Sequence, residues 1–256
     1  MIFHNNIIQG YDSSFSVYSD TYKQGYHSKK LGAYTETLLK HIYPALFFHC
    51  YGSFYKPFVR ETFLQQVDSI CSHHKHYLNL DLLQSIMQTL LQHSAKQNLN
   101  RPLRILDICF GLGYNAMLSL NYFKICEIYS PEKDYLLQEL QNFPYYNIPD
   151  SKKILSILNK HAYYKHNKQA LYYLHGNAIE YISQFKQGFF DIVFQDAFSQ
   201  QHNPELWDLC YFQLLYHITT SPCFITTYAK ARCVLEAAKQ AGFNALKYKW
   251  GSIFYK

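Results

Sequence analysis

The segment Asp107-Ile108-Cys109-Phe110-Gly111-Leu112-Gly113-Tyr114-Asn115 constrains the fold more than any other stretch of this chain. An apolar run, Pro102 to Ile108, reads as a buried strand and leads into a short Gly-rich turn. Asn115 to Tyr122, with its Ala, Met and Leu residues, reads as the helix that follows. Gly111 and Gly113 lack a Cβ, so the turn can take positive φ. A ligand can then lie against main-chain N–H groups at the positive end of the helix.

The turn is not the dinucleotide fingerprint G-x-G-x-x-G, because position 116 is Ala and position 109 is Cys. Asp107 would repel a pyrophosphate and attract a cation, such as the amino group of S-adenosyl-L-methionine. Glu132 follows the next apolar run, Phe123 to Tyr129, roughly 20 positions on, where an acidic residue takes both ribose hydroxyls. The pair Asp107 and Glu132 suits S-adenosyl-L-methionine better than NAD. A third run, Ala170 to His175, closes on Gly176-Asn177-Ala178. There Asn177 can meet the adenine amino group and the Ala178 N–H a ring nitrogen, or Asn177 can serve only as a turn residue.

Alternation continues along the chain. Helices are expected over 135–140, 152–159, 179–185, 204–218 (opened by Pro204, with Asn203 as cap) and 232–241, and strands over 189–195 and 223–228. Ala245 to Trp250 and Ile253 to Tyr255 read as a terminal hairpin. Before the Gly turn come strand-like runs, clearest at Phe15 to Tyr18, and helices over 33–43, 60–72 and 80–93, the last two placed to cover the turn. The expected class is α/β: a Rossmann-like sheet, mainly parallel, with helices on both faces and a terminal β-hairpin. N-terminal strands and a helical insertion occupy 1–100, the cofactor-binding core 101–256, and the whole forms a single domain.

Asp196 ends the apolar run 189–195, at the sheet edge where ligands sit. An ammonium cannot attack a methyl sulfonium, so an amine must be bound neutral or lose its proton. A carboxylate there can orient the amine and accept that proton, or it can merely cap the turn. Phe198 can pack against a base or belong to the core.

These residues carry a resemblance. Asp196-Ala197-Phe198 followed by Asn203-Pro204-Glu205-Leu206-Trp207 resembles the D-G-F-x-P-x-x-N-P-x-M-W signature of the methyltransferase domain of the MnmC family. Tyr26-His27-Ser28, Gly32-Ala33-x-x-Glu36, Phe110 to Asn115, Thr226-Thr227-Tyr228-Ala229 and Ala241-Gly242-Phe243 resemble further segments of it. Cys109 and Ala197 stand where that family has Gly, Gln200 where it has Pro, and Asn177 where it has Asp. The resemblance implies methylation of 5-aminomethyl-2-thiouridine at the tRNA wobble position to the 5-methylaminomethyl form, with S-adenosyl-L-methionine as donor. It assigns Asp107, Gly111, Gly113, Glu132, Asn177 and Ala178 to that cofactor, Asp196 to catalysis, and Tyr26, Glu36, Phe198 and Tyr228 to the substrate. It also implies a free-standing enzyme without the family's FAD-dependent oxidase half, served by a separate FAD-dependent or precursor-forming enzyme.

Composition narrows the setting. A net charge of +6 permits an acidic partner such as tRNA. Seven Cys without CxxC spacing suit reduced thiols, and Met1 to Gly10 lacks the pattern of a signal peptide, so a cytoplasmic protein is expected. No apolar run approaches about 18 residues, so no membrane span is expected. Lys152, Lys153, Lys160, His161, Tyr163, Tyr164, Lys165, His166 and Lys168 read either as an RNA-tracking surface or as a solvated helix face. Cys71, His73, His74 and His76 lack a second cluster, so no metal is expected. Competing readings are a polyamine-type aminopropyltransferase, a small-amine methyltransferase, and a non-catalytic RNA- or protein-binding descendant of the fold.

Overall fold

The computed structural model, which describes residues 6–71, 78–94 and 101–256, arranges the alternating pattern as one large sheet and a small N-terminal one. Strands β1 (Ile7–Gln9), β2 (Phe15–Ser19) and β3 (Gln24–Gly25) form the small antiparallel sheet. Helix α1 (Ala33–Thr37) runs through a π-helical turn, Leu38–Ile42, into α2 (Tyr43–Tyr51). The helix thus extends past the expected end at 43. Pro44 comes just after the π-helical turn, which shifts the hydrogen-bond ladder at that point, and Ala45, Leu46, Phe47 and Phe48 carry on as buried residues.

Helices α3 (Pro57–Ile70) and α4 (Leu80–Ser94) bury the stripes Val59, Phe63, Val67, Ile70 and Leu83, Met87, Leu90. They pack on each other, and α4 packs on α2. The element against the helix after the Gly turn, α5 (Tyr114–Tyr122), is instead α1 with its π turn, so the expected cover by 60–93 is corrected.

The core follows in order: β4 (Leu103–Ile108), α5 (Tyr114–Tyr122), β5 (Cys126–Glu132), α6 (Leu137–Leu140), α7 (Ser151–His161), β6 (Tyr163–His166), β7 (Gln169–His175) and α8 (Ala178–Ile182). Then come β8 (Phe190–Gln195), a 3-10 turn (Pro204–Leu206), α9 (Leu209–Ile218), β9 (Thr219–Thr227), α10 (Arg232–Gln240), β10 (Asn244–Tyr248) and β11 (Gly251–Tyr255). The sheet order is β10-β11-β9-β8-β4-β5-β7-β6. β9, β8, β4, β5 and β7 run parallel, while β6, β11 and β10 pair antiparallel at the two edges.

Side chains alternate across the central strands. Ile105 and Phe194 join the apolar cluster under α1 to α5, whereas Leu106 and Val193 join the one under α8 to α10. Strand order reverses between β4 and β8, where Ile108 pairs with Gln195. A crevice opens beyond the carboxyl ends of strands at such a switch point, which sets the Gly turn and Asp196 side by side.

Two further expectations are corrected. Residues 152–168 hold α7 and an unforeseen edge strand, β6, with Ala162 at φ 58° between them. The helix expected over 204–218 is broken into the 3-10 turn and α9, because the buried Trp207 donates its indole N–H to the Phe198 carbonyl at 2.7 Å. The cap of α9 is Asp208, whose carboxylate accepts the Tyr211 N–H at 2.8 Å, not Asn203. No helix among the described residues is long and apolar enough to cross a membrane. The triad His73, His74 and His76 lies outside the described residues.

Candidate functional site

The turn after β4 holds three residues at positive φ: Cys109 at 68°, Gly111 at 52° and Gly113 at 77°. A Cβ on Gly113 would stand 2.7 Å from the Phe110 ring, and one on Gly111 would stand 3.3 Å from the Tyr26 ring. Gly113 is therefore required by space as well as by backbone conformation, and Gly111 by its backbone conformation. Cys109 accepts the left-handed conformation where the resembled family has Gly. Burial pushes its thiol pKa up, which leaves it a weak nucleophile.

Glu132, at the end of β5, closes the turn from the other side. Its Oε2 accepts the Gly111 N–H at 2.8 Å and its Oε1 the Asp134 N–H at 2.9 Å. Each oxygen keeps a lone pair for a hydroxyl. Burial raises the Glu132 pKa to about 7, against the opposing pull of N–H groups from Asp134, Gly111 and Lys133.

Asp107 stands elsewhere. It is fully buried beneath the turn and does not line the cavity, with Ser130 Oγ donating to its Oδ2 at 2.9 Å and Oδ1 lacking a partner. Burial raises its pKa to about 8, so at neutral pH it is largely a neutral acid. Asp107 thus stands behind the turn rather than at the cavity wall, where it braces the strand end. Asn177 does line the cavity, but its Oδ1 accepts the Ile179 N–H at 2.8 Å and caps α8. The turn role is the one the structure displays.

Asp196 lies just past β8 with its side chain 21% exposed. Asn115 Nδ2, at the start of α5, donates to its Oδ2 at 3.0 Å, and His41 Nε2 stands 3.4 Å from its Oδ1. Burial alone would raise the Asp196 pKa, but His41, Lys40 and His27 outweigh it and hold the carboxyl down at about 2. From the sequence, Asp196 is expected to orient an amine and accept its proton; a carboxyl this acidic is ionised at neutral pH and free to accept N–H bonds.

Glu36, on α1, accepts the Ser28 N–H and pairs with Lys40, whose ammonium lies 5.2 Å from the centre of the Tyr228 ring. Sequence reasoning missed His41, Lys40, Asn115 and His27. The spacing of Glu36 and Lys40 along one helix was a visible signal, and Asn115 lies inside the Gly-turn motif. His41 reaches the site through the π turn, a local widening that no apolar period announces.

Aromatic side chains form the outer wall. Phe198 stacks on Tyr22 with ring centres 4.5 Å apart and meets Tyr26 edge-on at 4.9 Å. Tyr228 donates its hydroxyl to the Ala197 carbonyl at 3.0 Å. All these groups surround one cavity of about 340 Å³, which Tyr26, Glu36, Gly111, Gly113, Glu132, Asn177, Ala178, Asp196, Phe198 and Tyr228 line. The residues fit S-adenosyl-L-methionine: a Cβ-free turn at a helix start, a diol acceptor in Glu132, and the Ala178 backbone at the third strand end.

A family model described as S-adenosyl-L-methionine-dependent methyltransferase matches residues 138–251. An uncharacterised protein of Methanocaldococcus jannaschii is 29% identical over 152 residues, 57% of this chain and 42% of that protein. The chain thus spans about two fifths of the length of that curated relative. Among solved structures, MnmC2 from Aquifex aeolicus superposes with a TM-score of 0.66 at 23% identity, over 97% of this chain and 69% of the other. The fold is therefore that of a class I S-adenosyl-L-methionine-dependent methyltransferase. Spermidine synthase from Thermotoga maritima shares 14% identity over 61% of this chain and 54% of its own, with a TM-score of 0.41, which favours no choice of chemistry.

Proposed function

We propose that this chain, which has the fold of the MnmC-type methyltransferase domain and carries a S-adenosyl-L-methionine-dependent methyltransferase family pattern over residues 138–251, methylates the aminomethyl nitrogen of a tRNA wobble uridine. The product of that reaction is 5-methylaminomethyl-2-thiouridine. The observation that carries the reading is Asp196, a carboxylate fixed by Asn115 at 3.0 Å in the same cavity as Gly111, Gly113 and Glu132. When bound, S-adenosyl-L-methionine supplies an electrophilic methyl carbon, which an amine nitrogen takes as the carbon–sulfur bond breaks.

The chain's own groups do the rest. Glu132 and the Ala178 backbone hold the nucleoside end, and the positive-φ turn keeps side chains out of its way. Asp196 binds the amine and points its lone pair, since a carboxylate accepts N–H bonds and leaves the third direction free. Phe198 and Tyr22 offer a stacked apolar platform to the pyrimidine that bears the amine. The phosphate backbone would meet exposed lysines: Lys133 at the cavity, Lys152, Lys153 and Lys160 on α7, Lys165 on β6 and Lys168 in the turn after it. The aminomethyl group must already stand on the wobble uridine, so the methylation comes late in a modification sequence within the cytoplasm.

The test uses two tRNA preparations, one bearing 5-aminomethyl-2-thiouridine and one bearing unmodified uridine. With S-adenosyl-L-methionine, the first should gain one methyl per tRNA at the wobble nucleoside by mass spectrometry, and the second none. Equal gain on both, or gain at another nucleoside, contradicts the reading.

A further inference from the structure

His41 has no task in the reading so far. Its ring is 1% exposed and tilted against Phe194, and Nδ1 lies 2.6 Å from Thr226 Oγ1. Nε2 is closed to solvent, makes no hydrogen bond and faces Asp196 Oδ1 at 3.4 Å. The π turn brings His41 and Lys40 to the same cavity wall. Asp196 is thus held between two groups, Asn115 on one oxygen and His41 on the other.

Resting on the assignment of the cavity to amine methylation, we propose that His41 receives, through Asp196, the proton that a substrate ammonium must shed before it can be methylated. The ammonium N–H bond breaks as an Asp196 oxygen takes the proton, and that O–H bond breaks as an N–H bond forms at His41 Nε2. The nitrogen keeps its electron pair for the methyl carbon. With Nδ1–H donating to Thr226 Oγ1, Nε2 carries the lone pair this step needs. Before the transfer the pocket holds ammonium, carboxylate and neutral imidazole; afterwards it holds amine, carboxylate and imidazolium. One cation sits beside one anion in both states, so the proton crosses a poorly solvated site without separating charge.

The surrounding groups leave His41 as the acceptor. Asp196 accepts one N–H, from Asn115, on Oδ2 and faces Nε2 of His41 with Oδ1, so a proton taken from the substrate has a line along which to pass. Lys40, on the same helix, is already a cation paired with Glu36 beneath Tyr228. His27 is turned toward Ser16 at 3.2 Å and edge-on to Tyr114, and burial lowers its pKa. Asn115 on α5 and Thr226 on β9 do not titrate, and Phe194 on β8 closes the remaining face.

Single-turnover methyl transfer to aminomethyl-bearing tRNA, at saturating S-adenosyl-L-methionine, tests this across mildly acidic to alkaline pH. Wild type should methylate at pH values where free amine is scarce, because a bound ammonium sheds its proton inside the site. H41F keeps an aromatic ring against Phe194 and should be roughly 100-fold slower at neutral pH, the scale of a positioned acid–base group. Its rate should climb with pH as the free amine fraction grows. T226V, which removes the Nδ1 partner at constant volume, should show a smaller loss in the same direction. A thermal shift with S-adenosylhomocysteine reports that each variant is folded. H41F and T226V matching wild type in rate and pH profile overturns the proposal and leaves the assigned chemistry standing. A wild type that binds S-adenosylhomocysteine but methylates no amine overturns both.

Discussion

The Gly111 N–H donates to Glu132 Oε2 at 2.8 Å, so the carboxylate that ends β5 is bonded to the turn that follows β4. One hydrogen bond therefore sets the distance between two walls of the cofactor site. It also ties cofactor affinity to the ionisation of Glu132, which burial raises to about 7. Ribose hydroxyls donate to the ionised form. Affinity for S-adenosylhomocysteine should thus rise with pH through about 7 and level off above it. E132Q should bind roughly tenfold or more weakly, the loss of charge-assisted hydrogen bonds, and should show no such slope. Calorimetric titration at several pH values checks both.

Asp107 predicts a pH dependence of stability. Its folded pKa, raised by burial to about 8, lies above the ordinary carboxylate value of 3.8. The folded state therefore holds the proton more tightly than the unfolded state. Its contribution is fully present below about 3.8 and is lost as pH rises to about 8. D107N, neutral at every pH, should be at least as stable as wild type at pH 8, and that advantage should shrink steadily as pH falls toward about 3.8. Thermal denaturation of the ligand-free proteins measures the difference.

Gly113 predicts a steric effect. At φ 77° with the Phe110 ring 2.7 Å from a built Cβ, G113A should lose about 1–3 kcal/mol of stability, the range for strained backbone. It should also weaken S-adenosylhomocysteine. C109G removes a side chain from a residue already at φ 68° and should stay within about 1 kcal/mol of wild type. Urea unfolding of the two variants separates them.

Trp207 predicts a division between binding and chemistry. Its indole N–H holds the Phe198 carbonyl at 2.7 Å and so fixes the loop that carries the aromatic wall. W207F should raise KM for the RNA substrate several-fold with a smaller effect on kcat, while leaving S-adenosylhomocysteine affinity unchanged. Steady-state kinetics with tRNA as the varied substrate checks this.

The sequence was readable where one local rule decided the outcome. The apolar run into a Gly turn defined β4 and α5, and Glu132 and Asp196 were found because acidic residues at strand ends face the crevice. It was less readable where tertiary contacts decided. Asp107 looks like a ligand group from its position before the turn, but the strand buries it under Ser130. Asn177 reads either as an adenine partner or as a turn residue; it lines the cavity and its side chain also caps α8, a contact the sequence does not announce. The break at Trp207 depends on an indole finding a carbonyl nine residues back, and the π turn that presents His41 has no signature in the apolar period. β6 was hidden in a stretch whose charges and rings suit a strand edge as well as a helix face.

The account turns on Asp196 binding an RNA-borne amine beside the methyl donor. The direct measurement is transfer of radiolabelled methyl from S-adenosyl-L-methionine to bulk tRNA from a strain lacking wobble-uridine methylation, with digestion to nucleosides, for wild type and D196N. The account predicts label in 5-methylaminomethyl-2-thiouridine with wild type. D196N should transfer roughly 100-fold more slowly while its thermal shift with S-adenosylhomocysteine is retained. A wild type that shows that thermal shift but puts no label into this nucleoside, or a D196N that labels it at full rate, would contradict it.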